Sequence, residues 1–256
     1  MTLSHEALLF SAATLAGMLN SVAGGGSFFS FPALIFTGVL PIPANATSTV
    51  ALWPGSLASI GAYWKKMPRE PGILAVFTAI SVAGGILGAV LLLRTPPATF
   101  MHLVSYLFLA ATLLFTFGKR LSERISGWVK RSGSPSWVMV GAATLIQLVI
   151  AVYGGFFGGG IGILMLAMLN MVPMGDIHSM NAVKSLLAAA INGAAVVTFI
   201  LARTVVWPQA ILMLAGAILG GYGGAHLAQK LDPKLVRRLV ILVGFSMTAY
   251  FFWKYR

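Results

Sequence analysis

Ten apolar stretches follow one another along this chain, and almost every charge falls between them. They cover roughly 6–22, 28–40, 45–64, 72–93, 97–118, 137–153, 160–172, 179–201, 206–228 and 234–253. A bilayer's hydrocarbon core of about 30 Å takes about 20 helical residues at 1.5 Å each, and most of these stretches come near that length. Charged residues make up 9% of the chain, where a soluble domain of this size carries about a quarter. The expected fold is therefore an all-α integral membrane protein. The stretches near 28–40 and 160–172 are too short to span, so each should join its predecessor as a glycine-rich broken or re-entrant hairpin. Six to ten crossings follow.

The lysines and arginines divide unevenly between the two sides this topology creates. Twelve fall on one side, in the joints around Lys65, Lys119–Arg131 and Lys230–Arg238. Four fall on the other: Arg94, Arg203, Lys254 and Arg256. Lys184, inside a segment, completes the total of 17. The rich side is expected to be cytoplasmic, which puts both termini on the non-cytoplasmic side. The net charge of +12 then reflects orientation, and no nucleic-acid partner is implied. With no cysteine in the chain, disulfides and thiolate metal sites are excluded. The start, "MTLSHEALLF", lacks a basic region and a small-residue cleavage site, so the first helix reads as retained.

The chain also repeats itself. At a shift of 136 residues, Asn45–Thr49 "NATST" meets Asn181–Ser185 "NAVKS", Gly84–Ala89 "GGILGA" meets Gly220–Ala225 "GGYGGA", and Pro97 meets Pro233. The runs Gly24–Gly26 and Gly158–Gly160 correspond at a shift of 134. Five segments per half is an odd number, so the second copy should enter the membrane from the opposite side. The reading is two inverted-topology repeats, residues 1–120 and 137–256, joined by a cytoplasmic linker at 121–136. Secondary transporters recurrently use this plan, with the substrate near the midplane at the repeat interface.

Each repeat interrupts its own apolar run, first with "NSVAGGGSFFSFP" and then with "GGFFGGGIG". Three adjacent glycines exceed what close helix packing needs, which is one small residue per turn. Without Cβ the backbone can turn sharply and approach a ligand. Bare backbone at membrane depth is tolerated where it lines a cavity. A helix starting after each run leaves amides unpaired, an arrangement that binds anions. The expected donors are Gly25, Gly26, Ser27 and Phe28 in the first half, and Gly159, Gly160, Ile161 and Gly162 in the second. Asn20 opens the first run. By contrast, Gly84 with Gly88, and Gly216, Gly220 and Gly224, lie mid-helix at four-residue spacing and read as packing contacts.

A polar stripe follows in both halves. Asn45, Ser48, Thr49, Leu52 and Ser56 share a helix face, as do Asn181, Lys184, Ser185, Ala188 and Asn192. Such stripes face a bundle interior, either to line a cavity or to hydrogen-bond between helices. Lys184 lies about 7–8 Å inside its helix, within snorkelling reach of the interface, but its face neighbours are polar. The carboxylates, Glu6, Glu70, Glu123, Asp176 and Asp232, all sit at segment ends or in joints. Cation carriers and proton pumps place such groups inside the membrane. One embedded lysine without an embedded carboxylate favours an anion. No nucleophile–base arrangement, metal-ligand spacing or cofactor motif appears, so neither an enzyme nor a cofactor is expected.

The stretches "LNSVAGGGSFFSFPAL", "PIPANATSTVALWPGSLAS", "GGFFGGGIGILMLAMLNM" and "HSMNAVKSLLAAAINGAA" resemble the sulfite exporter TauE/SafE family, also called the 4-toluene sulfonate uptake permease family, over essentially the whole chain. The resemblance implies transport of a small sulfur-containing anion (sulfite, sulfoacetate or another organosulfonate) across a bacterial inner membrane. It implies as substrate-binding positions Gly24–Ser27, Asn45, Thr47 and Thr49, with Gly158–Gly160, Asn181, Lys184 and Ser185; Asn20 and Asn192 join them from the residue patterns above. Ile161 stands where the first run has Ser27. An inside-negative potential favours export. An anion channel or a non-transporting membrane scaffold are the alternatives, and a homo-oligomer is compatible with the sequence.

Overall fold

The computed structural model describes residues 2–22, 25–63, 66–68, 70–132, 136–172, 177–228 and 233–255. Within them the chain forms ten α-helices: α1 (Leu3–Val22), α2 (Ser27–Phe36), α3 (Pro41–Tyr63), α4 (Pro71–Arg94), α5 (Pro97–Ser132), α6 (Ser136–Phe156), α7 (Ile161–Leu169), α8 (Ile177–Leu201), α9 (Trp207–Ala228) and α10 (Pro233–Lys254). Four of these helices open on proline, which suits a position whose N–H would have no intrahelical partner. Among the described residues, four helical stretches are long and apolar enough to cross a membrane: Pro71–Arg94, Pro97–Gly118, Trp137–Phe156 and His178–Leu201. Their outward faces carry residues such as Ile86, Leu87, Leu145 and Val149, all well exposed. This is an all-α membrane protein.

The short segments behave as their length requires. At 10 and 9 residues, α2 and α7 are about 15 and 14 Å long, half the hydrocarbon thickness. Each packs against the helix before it, α2 on α1 and α7 on α6, so each forms a hairpin around its glycine run. The first hairpin ends in a Schellman motif: Gly38 (φ 86°) lets its own amide reach the Ile35 carbonyl and that of Val39 reach Leu34. One helix outruns its apolar segment. The charges after Gly118 end the hydrophobic stretch but not the helix, and α5 continues to Ser132 through most of the stretch read as a linker. Ile125 on this extension packs against the core of the second half.

The halves interlock. α1 packs along α9 and α6 along α4; α5 packs on α7 and α10 on α2; α4 meets α8 and α9 meets α3. Exchanging each helix for the one five places later converts these pairings into one another, while α3 with α8 and α5 with α10 map onto themselves. Glycine makes the longest contacts possible. A Cβ on Gly220 would run into the Thr14 backbone, and one on Gly17 into the Ala217 carbonyl. On the other side, a Cβ on Gly84 would come within 2.5 Å of Ala151, and one on Gly88 would meet the Val152 carbonyl. The mid-helix glycines therefore serve packing, as expected; what surrounds Gly224 lies outside the described residues.

A cluster of aromatic rings fills the space between α2, α5, α10 and the second glycine turn. Phe108 lies within 5.2–6.1 Å of Phe28, Phe31, Phe157 and Phe251, centroid to centroid. The Phe28 and Phe115 rings meet edge to face at 5.6 Å. These are the separations and tilts that aromatic quadrupoles prefer. The cluster forms one wall of the cavity described next.

Candidate functional site

Between the two hairpins and the crossing of α3 with α8 lies a cavity of about 290 Å³. The α1–α2 hairpin supplies Asn20, Gly25 and Ser27. The α6–α7 hairpin supplies Phe157, Gly158 and Gly160–Ile163. α3 contributes Thr49, Leu52, Trp53, Gly55 and Ser56, and α8 contributes Asn181, Lys184, Ser185, Ala188 and Asn192. Phe115 of α5 and Leu166 of α7 complete the lining. The whole α8 stripe thus faces this space, while of the α3 stripe Thr49, Leu52 and Ser56 do.

The glycine turns achieve what their sequence suggests, though unequally. Gly25, Gly158 and Gly160 have φ of 95°, 82° and 77°, a region that costs other L-residues about 1–2 kcal/mol. In the second turn the amides of Gly159, Gly160, Ile161 and Gly162 find no acceptor among the described residues; the next, that of Ile163, donates to the Gly160 carbonyl at 3.1 Å. These are the four donors expected there. The first turn departs from expectation. There the Gly26 amide donates to Asn20 Oδ1 at 2.8 Å, and the Phe28 amide donates to the Gly25 carbonyl at 3.0 Å. Only Gly25 and Ser27 keep amides without an acceptor among the described residues. A side chain close enough to cap the turn has used one donor, and a tight turn another.

Lys184 is half-buried and borders the cavity. Its Nζ donates to Asn181 Oδ1 at 3.0 Å, and its stem runs beside Gly162, at 3.5 Å from where a Cβ would stand. Among the described residues the cavity lining includes no carboxylate, and Lys184 has no carboxylate partner. A positive charge beside amides that have no acceptor among the described residues attracts an anion.

Ten candidate residues from the sequence line this space: Asn20, Gly25, Ser27, Thr49, Gly158, Gly160, Asn181, Lys184, Ser185 and Asn192. Gly24 lies outside the described residues. Gly26 and Gly159 are buried just behind the lining. Asn45 and Thr47 point elsewhere and do structural work. Asn45 Nδ2 donates to the Phe156 carbonyl at 3.2 Å, at the end of α6. Thr47 Oγ1 accepts from the Val206 amide at 3.0 Å, at the start of α9. Ser48, the counterpart of Lys184, turns away to share a buried hydrogen bond of 2.6 Å with Ser30.

Sequence reasoning missed Trp53, Phe115 and Phe157. Trp53 could have been found, since it lies four residues after Thr49 on the striped face. Its indole N–H donates to the Ala189 carbonyl at 3.0 Å, 136 residues away. That is the repeat interval, so Trp53 touches its own counterpart, as residues do where two related halves meet. Phe115 carries no local signal; packing alone brings it in.

The chain matches the model of the family described as sulfite exporter TauE/SafE over residues 9–251. It is 28% identical over 253 residues to a probable membrane transporter protein of Haemophilus influenzae, covering 95% of this chain and 92% of that one. It is 27% identical over 243 residues to the probable membrane transporter protein YfcA of Escherichia coli, covering 94% and 87%. A probable membrane transporter protein, ORF9, of Sinorhizobium sp is 27% identical over 242 residues, covering 94% and 90%. No solved structure matches. With a cavity between its halves and a family match along almost its whole length, the chain belongs to the sulfite exporter TauE/SafE family of membrane transporters.

Proposed function

We propose that this protein carries a small sulfur-containing anion, sulfite, sulfoacetate or another organosulfonate, across the bacterial inner membrane, and that its working direction is export. One observation carries the reading: among the described residues, the cavity between the halves is lined by one lysine and by backbone amides without an acceptor, and by no carboxylate. A sulfonate group offers three oxygen acceptors and one negative charge. Amides of the second turn, the Ser27 and Ser185 hydroxyls and the Asn181 and Asn192 amides supply donors, and Lys184 supplies the charge. The mirrored helix pairings support two inverted repeats that rock about the cavity in alternating access. An inside-negative potential drives an anion outward with about 2.3 kcal/mol per charge per 100 mV, so export needs no coupled ion.

The test is sulfite, sulfoacetate and sulfate flux in proteoliposomes at a set potential, comparing wild type with Lys184→Ala. Wild-type flux of sulfite or sulfoacetate is expected to saturate and to be accelerated by substrate on the far side, as a carrier requires and a channel does not. Lys184→Ala should lower it at least tenfold. Equal rates in the two proteins would remove Lys184 from the mechanism, and no flux of any of these anions would end the reading.

A further inference from the structure

The second glycine turn is built from residues that hold no shape by themselves. Gly158 and Gly160 both have positive φ, with Gly159 between them, and glycine loses the most backbone freedom on being fixed. One residue grips this turn from behind. The Tyr153 carbonyl accepts from the Phe157 amide at 2.9 Å and from the Gly158 amide at 3.2 Å. Its phenol donates to the Gly159 carbonyl at 2.7 Å, and its ring packs against Phe157 at 6.4 Å between centroids.

The phenol bond has a geometric consequence. In a planar trans peptide the C=O of one residue and the N–H of the next point in opposite directions. Drawing the Gly159 carbonyl toward Tyr153 therefore turns the Gly160 N–H away from Tyr153. Tyr153 does not border the cavity, whereas Gly160 does, and the Gly160 amide has no acceptor among the described residues. Among the described residues the first half shows no equivalent strut. Tyr153 aligns with Gly17 or Leu19 at the two repeat shifts, and the first turn is held instead by Asn20, which consumes the Gly26 amide.

We propose that Tyr153 is a positioning residue: its hydroxyl orients the Gly159–Gly160 peptide so that the second turn, not the first, gives the anion its principal backbone donors. Binding is then lopsided within a repeated fold, with Lys184 and the stronger amide set in the same half. This rests on the reading of the cavity as an anion site.

The test measures sulfite flux against concentration in proteoliposomes, using folded, monodisperse protein. Tyr153→Phe keeps the ring and removes the donor; its KM should rise about tenfold with Vmax within twofold of wild type. An unchanged KM overturns the proposal, as does an equal loss of Vmax at constant KM. Should that variant not fold, 4-methylphenylalanine and 4-aminophenylalanine at position 153 give the same comparison with the tyrosine shape kept. The amine should hold KM within about threefold of wild type and the methyl should not; equal KM values overturn the proposal. Lys184→Ala run alongside separates the failures. Lost transport there with a normal Tyr153→Phe sinks only this proposal, while normal transport in both, or none in wild type, sinks the cavity reading and this proposal with it.

Discussion

Gly88 shows how little room the second half leaves on α4. A Cβ there would meet the Val152 carbonyl and stand 2.7 Å from the Phe156 amide, so backbone would have to move, and overpacking of this kind costs about 1–3 kcal/mol. On α6, a Cβ added at Gly141 would have nothing within 4 Å, and there alanine gains the roughly 1 kcal/mol that glycine forfeits in a helix. Gly88→Ala should therefore lower the thermal unfolding midpoint in detergent, while Gly141→Ala should leave it unchanged or raise it. Equal effects would mean that α4 and α6 do not touch through glycine. The same residue type answers two different demands in this chain: closeness at Gly84, Gly88 and Gly220, and left-handed backbone at Gly25, Gly158 and Gly160.

At the scale of elements, α3 acts as a tie. The last carbonyls of a helix and its first amides have no partner within it, and α3 supplies both kinds of cap to the other half. Asn45 caps the end of α6, and Thr47 caps the start of α9. Each is buried, and a buried polar group left without a partner costs about 1–3 kcal/mol. Thr47→Val, which keeps the shape and loses the acceptor, should lower the unfolding midpoint, whereas Thr47→Ser should largely keep it. If valine and serine behave alike, the contact carries no stability. The resemblance placed both residues among substrate contacts; in this structure their side chains bond to the end of α6 and the start of α9.

For the whole molecule, the pairing of helices across the halves makes each bundle a mixture of both repeats, so that neither half can pack alone in this arrangement. The inverted plan predicts sidedness. Because the natural chain has no cysteine, one can be placed at will, and Arg120 and Arg203 are both exposed. A membrane-impermeant maleimide applied to intact cells should label Arg203→Cys and leave Arg120→Cys untouched until the membrane is opened. Labelling of both from outside would refute the proposed topology and, with it, the inverted repeat.

What the sequence by itself determined is what local chemistry dictates. Apolar length specified helices in a membrane, and adjacent glycines specified where two of them break. Each signal lies within a few residues of its consequence. The tertiary structure alone decided which polar groups face the cavity and which are spent on holding it. Asn45 and Thr47 find partners 111 and 159 residues away, Phe115 arrives by packing, and the Gly26 amide is claimed by Asn20. The physical reason is that a hydrogen-bonding group serves whichever partner the fold brings within about 3 Å, and over such separations nothing in the neighbouring residues announces which partner that will be.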